Sequence, residues 1–127
     1  MNTDKHGLNS ISEKIIGCAF QVSNTLGTGF LEKVYQNALF IELVDSGLQV
    51  EKEKAITIHY KEKVVGEYFA DLLINQQIII EIKAVQSLNE IHQAQLLNYL
   101  KATKLHLELL INFGTSKVQI KRMINDK

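Results

Sequence analysis

The sequence predicts an α/β fold, a mixed β-sheet with helices against it in the order α-α-β-β-β-α-β. Three patterns carry this expectation. Apolar residues recur with the helical period through the first 45 positions, then give way to alternation and short apolar runs from Leu48 to Lys83. A strand, helix, strand passage follows from Ile78 to Phe113. Two strands joined in that way run parallel if they share one sheet, since a crossover helix returns the chain to the same end.

Taken in order, Ile11, Ile15, Cys18, Ala19, Val22 and Leu26 mark a first helix, with Ser10 or Ser12 as its cap and Gly27 as its stop. A second helix is expected from Thr28 or Gly29 through Leu31, Val34, Tyr35, Ala38, Leu39 and Leu43, ending near Asp45. Residues 1–9 read as a polar, flexible lead. Val50, Ile56, Ile58, Val64 and Val65 suggest strand, turn, strand around Lys61-Glu62-Lys63. Ser87 and Glu90 have the spacing of a capping box, opening a helix to about Thr103 anchored by Leu96, Leu97 and Leu100. Leu105 to Phe113 is another apolar strand, and Val118 to Ile124 carries no clear type.

Composition narrows the classes. The chain has 127 residues, is 46% hydrophobic and contains no proline, enough for a core in one domain over residues 1–127. Fourteen basic residues balance fourteen acidic ones, so no global charge drives it to nucleic acid or membrane, and any basic surface is local. Cys18, the single cysteine, has no internal partner and lies among apolar neighbours, which fits a buried thiol in a reducing cytoplasm. No apolar run approaches the roughly 20 residues of a membrane span, and the first residues lack a signal peptide's apolar stretch. A soluble, cytoplasmic protein is expected.

The most informative stretch is Asp71 to Lys83. Two apolar arms, Leu72–Ile74 and Ile78–Ile82, flank the turn signal Asn75-Gln76-Gln77, and their unbroken apolarity suggests strands covered on both faces. If the turn has three residues, Ile74 pairs with Ile78 and Asp71 falls opposite Glu81, with Cβ atoms about 4.5 to 5.5 Å apart. Glu81 and Lys83, two apart, share that face. Two readings fit. One is a cross-strand ion-pair cluster on a solvated face. The other is a pair of carboxylates holding a hard divalent cation, Mg²⁺ or Mn²⁺, with Lys83 facing the anion it binds. The isoleucines around Glu81 favour the second, because an unpaired carboxylate among them is costly.

Two further groups stand out. Glu32 and Tyr35 lie one turn apart at the start of the second helix, where the helix dipole alone would also favour a glutamate. His92, Gln95 and Tyr99 form one polar stripe on the helix after Lys83. Other chemistries lack support: Gly27-Thr28-Gly29 has no third glycine and follows a helix, and there is no P-loop or nucleophile elbow. His6, His59, His92 and His106 are too dispersed for zinc.

Gly29-x-x-Glu32-x-x-Tyr35, Asp71 with Glu81-x-Lys83, and Gln95-x-x-x-Tyr99 together resemble the GxxExxY family of the PD-(D/E)xK nuclease superfamily, over nearly all of Leu26 to Gly114. The resemblance implies a restriction-endonuclease-like core and a metal-dependent nuclease, with DNA the favoured substrate, in repair or processing. It makes Asp71, Glu81 and Glu32 metal ligands for Mg²⁺ or Mn²⁺, Lys83 the residue that activates water and offsets phosphorane charge, and Gln95, Tyr99, Tyr35 and His92 substrate-orienting residues. Ala70 stands where the superfamily motif has proline, a change that touches no ligand. At this size the chain has little room for a sequence-reading domain, so specificity would come from structure, a free end or a partner. Nuclease folds of this size frequently pair to engage two strands, which makes a homodimer or larger assembly the expectation. A nuclease fold kept as a nucleic-acid or protein binding module, with little catalysis, is the alternative.

Overall fold

The computed structural model of the chain describes residues 7–125, with three helices and five strands. Helices α1 (Leu8–Leu26) and α2 (Glu32–Asp45) come first, followed by strands β1 (Val50–Tyr60), β2 (Lys63–Ile74) and β3 (Ile78–Lys83). Helix α3 (Glu90–Thr103) then leads to β4 (Leu107–Asn112) and β5 (Gln119–Ile124). The segment left open in the sequence is therefore an edge strand. One sheet holds all five strands in chain order, antiparallel except for β3 and β4, which are parallel as the crossover requires. Among the described residues no helix is long and apolar enough to cross a membrane.

Local chemistry explains the boundaries, including those the sequence misplaced. Gly7, in the left-handed region, precedes α1, and Ser12 is no cap: its hydroxyl donates back to the Leu8 carbonyl at 2.7 Å. Leu8 and Asn9, read as lead, already lie in the helix. Gly27 and Gly29 take φ values of 70° and 108° and spend residues 27–31 on a loop, so α2 starts at Glu32 and not at Thr28 or Gly29. Lys61 and Glu62 both have positive φ, the two-residue turn that matches strand twist between β1 and β2. Asn75 and Gln76 do likewise between β2 and β3, where Gln77 N–H donates to the Ile74 carbonyl at 2.9 Å.

Two apolar layers enclose the sheet. Ile15, Ala19 and Val22 of α1 and Tyr35, Leu39 and Leu43 of α2 pack on Leu72, Ile74, Ile78, Ile80, Ile82, Leu109 and Ile111. On the other face Leu96 and Leu100 of α3 meet Ile56, Ala70, Leu73, Ile79, Leu110 and Met123. Strands β3 and β4 are thus covered on both sides, which is why they read as continuous apolar runs. Leu31 and Val34, expected on the inner stripe of α2, are exposed, because the helix turns Tyr35, Leu39 and Leu43 inward instead.

The chain leaving β3 is clamped to the end of β4. Asn112, fully buried, accepts from Val85 N–H and Gly114 N–H at 3.0 Å and donates to the Val85 carbonyl at 2.9 Å. Phe113 N–H donates to the Lys83 carbonyl at 2.8 Å. Gly114 is required here by space, since a Cβ would stand 2.3 Å from both Val85 N and Val85 O. Gly114→Ala is expected to cost at least about 2 kcal/mol in chemical denaturation, in the range of overpacking. Gly17→Ala, inside α1 with nothing within 4 Å, should stabilise by about 0.5–1 kcal/mol. Equal effects of the two would show that the loop yields.

Candidate active site

The hairpin register places the acids together. Ile74↔Ile78, Ile79↔Leu73 and Ile80↔Leu72 are paired, so the next position sets Asp71 opposite Glu81. Ladder pairing stops there, and Asp71 Oδ2 accepts the Ile82 N–H at 2.7 Å in its place. On the other side of β2 the pairing with β1 also breaks at this level. Lys52↔Leu72 and Lys54↔Ala70 are paired in one register, with Glu53 between them at φ 51° and unpaired with Asp71.

Period two decides the face. Ile78, Ile80 and Ile82 enter the layer under α1 and α2 while Ile79 enters that under α3, which sends Glu81 and Lys83 to the α3 side. Glu81 is 5% exposed and Lys83 half-buried. Glu32, at the N-terminus of α2, reaches the end of the same strand, its Oε2 accepting Ala84 N–H at 3.3 Å and its charge bearing on Asp71. Four residues singled out in the sequence, Glu32, Asp71, Glu81 and Lys83, are therefore brought to one end of β3.

Electrostatics at this spot is short of positive charge. Burial, the Asp71 charge beside it and the nearby Glu108 push the Glu81 carboxyl up to about 9, against the hydrogen bond it accepts from the Tyr68 hydroxyl. Asp71 is raised as well, by burial first and by Glu32, although the Ile82 amide, Glu81 and Lys83 pull the other way. The two carboxyls act as a coupled pair in which the charged form of Glu81 is strongly disfavoured. Burial and the Asp71 charge push Glu108 of β4 up to about 8.

Two residues that the sequence did not mark belong here. Tyr68 donates to Glu81 Oε1 and stacks on Tyr99 of α3, with ring centroids 4.1 Å apart and planes 12° apart. Burial and Glu81 drive its phenol far above the usual range, so it remains a donor. Its position three residues before Asp71 carries no pattern that separates it from an ordinary strand aromatic. Glu108, by contrast, interrupts an apolar strand just as Glu81 does, and the same reasoning could have found it.

The remaining candidates divide. Tyr99 stacks on Tyr68, and Gln95 is exposed on α3. Tyr35 lies in the other layer, fully buried, where its hydroxyl donates to the Gly27 carbonyl at 2.7 Å and accepts from Phe30 N–H at 3.3 Å. Its ring stacks on Phe113 at 4.8 Å. Its role here is to fasten the α1–α2 loop, which sets the start of α2 and so Glu32. The His92 side chain lies outside the described residues.

Among the described residues no group of three histidine, cysteine or carboxylate side chains is arranged to enclose an ion. Magnesium-like ions do not need one: they are held by one or two carboxylates and keep several waters. Asp71 and Glu81 supply such a pair with hard oxygen donors, and their shared deficit of positive charge is what a divalent cation would relieve. The donor set therefore fits Mg²⁺ or Mn²⁺.

A family model described as the PD-(D/E)XK nuclease superfamily matches residues 9–123. No curated protein and no solved structure matches the chain.

The raised acids have a measurable consequence for stability. Carboxyls that stay protonated in the fold but ionise near pH 4.5 when unfolded bind more protons in the native state, so stability falls as pH rises. The slope is about 1.4 kcal/mol per pH unit for each proton so retained. The metal-free chain should lose melting temperature steadily from about pH 5 to about pH 9, and Mg²⁺ should flatten that loss. A flat metal-free profile would show that the acids are ionised and paired in the fold.

Proposed function

Because the chain belongs to the PD-(D/E)XK nuclease superfamily, we propose that it is a metal-dependent nuclease that hydrolyses phosphodiester bonds of DNA, in repair or processing, in the cytoplasm. The observation that carries this reading is the pairing of half-buried Asp71 on β2 with buried Glu81 on the central strand β3, with Lys83 on the same face and too little positive charge between them.

Asp71 and Glu81 would hold the Mg²⁺ or Mn²⁺ ion, assisted by Glu32 from the N-terminus of α2. When bound, the ion would polarise the scissile phosphate and lower the pKa of its water. Tyr68 holds one oxygen of Glu81, and the other would turn towards the cation shared with Asp71. Lys83 brings a positive charge to the side where a phosphate would lie, offsetting the charge that develops there and steadying the attacking water. Ile82, between Glu81 and Lys83, is anchored in the opposite layer and donates its N–H to Asp71, which fixes the three charges relative to one another. Gln95 on the exposed face of α3 would contact the nucleic acid. Two copies, or a larger assembly, would engage both strands of a duplex.

Cleavage of end-labelled single- and double-stranded DNA in Mg²⁺, Mn²⁺ or chelator tests the reading. Glu81→Ala and Lys83→Ala should each lower metal-dependent cutting at least about a hundredfold, the scale of losing a transition-state stabilising group. Cutting equal to wild type in both variants would defeat it. DNA retained in chelator and never cut would assign the chain instead to the non-catalytic binding modules of this fold.

A further inference from the structure

Strand β4 carries one acid, and it has no work within the fold. Glu108 lies between Leu107 and Leu109, both packed under α1 and α2, so its side chain goes to the α3 face with Leu110. Its neighbour on β3 is Ile79, two residues before Glu81, and its neighbour on β5 is Met123. The residue is 0% exposed, and neither carboxylate oxygen has a hydrogen-bond partner among the described residues.

That isolation sets it apart from the other acids. Glu81 accepts from Tyr68, Asp71 from the Ile82 amide and Glu32 from the Ala84 amide. A carboxyl group taken from water and given nothing in return is destabilising, and a leucine, as at 107, 109 and 110, would avoid the cost. Its electrostatic partners are those of the site: Asp71 disfavours its charge, Lys83 favours it, and Glu108 in turn opposes ionisation of Glu81. The buried, unpartnered carboxyl group thus lies on the same face as Glu81, on the neighbouring strand and one same-face position away, within electrostatic reach of Asp71, Lys83 and Glu81.

We propose that Glu108 is a further acidic residue of the divalent-ion site, engaging the ion through its bound water behind Asp71 and Glu81. The inference rests on the metal-dependent reading above. An ion held by two carboxylates keeps waters whose protons need acceptors, and Glu108, once ionised beside the cation, would offer two acceptor oxygens that have no other partner among the described residues. It is a positioning residue: its effect passes through the ion and its water, not through contact with the nucleic acid.

Calorimetric titration of the full chain with Mn²⁺ alone, at fixed pH, tests this without any cleavage. Glu108→Gln should weaken Mn²⁺ binding about tenfold or more, the range seen when partners of metal-bound groups are removed. Its metal-free melting temperature should not fall. Glu108→Leu, which fills the same space without polar atoms, should do the same. Unchanged Mn²⁺ affinity in both variants, with binding lost in Glu81→Ala, would overturn the proposal and leave the nuclease reading intact. No Mn²⁺ binding by the wild type would remove both. Failure of both variants to fold without metal would show a structural role for Glu108 and also overturn the proposal.

Discussion

The structure depends on one electrostatic constraint, that a carboxyl group, Glu81, is carried on the middle strand of a sheet covered on both faces. Burial alone would favour an apolar residue there, as it does at Ile78, Ile79, Ile80 and Ile82. Asp71 alongside makes the charged form still less favourable, the Tyr68 hydroxyl offsets part of that, and Lys83 bears on Asp71 and Glu108. Everything close to the pair then serves to hold it in place: the Ile82 amide and Tyr68 as donors, Tyr99 behind Tyr68, and the N-terminus of α2 at the strand's end.

The scaffold converts apolar packing into that placement. Two layers grip β3 from both sides, so the strand cannot slip by one residue without exchanging isoleucines for charges. Beyond Lys83 the chain is tied to the end of β4 by Asn112 and by the close approach of Gly114, which fixes where the strand stops and where Ala84 meets Glu32. Tyr35 acts at a distance through the same logic: bonded to Gly27 and stacked on Phe113, it sets the loop that determines where α2 begins.

Much of this was legible because it follows from short-range rules. A three-residue turn fixed the hairpin register, and with it the opposition of Asp71 and Glu81, from residue spacing alone. The parallel pairing of β3 and β4 followed from connection length. What was not legible depends on distant partners. Gly27 was legible as the stop of α1, but Gly29 could have opened α2, and its positive φ together with the Tyr35 hydroxyl bonds shows that it belongs to the loop instead. Tyr68 looks like any strand aromatic until Tyr99 and Glu81 are brought to it. The edge strand β5 lacks the double coverage that makes β3 and β4 conspicuous, its exposed residues blurring the pattern. Glu108 was different: its signal lay in the sequence, one acid in an apolar run, and its meaning emerged once β4 was placed beside β3.

The central claim, that Asp71 and Glu81 form a cation site, is met most directly by locating the ion. Crystals of the chain grown with Mn²⁺ and measured at the manganese absorption edge would do so. The expected result is an anomalous peak beside the Asp71 and Glu81 carboxylates. No peak at that position in saturating Mn²⁺ would contradict it.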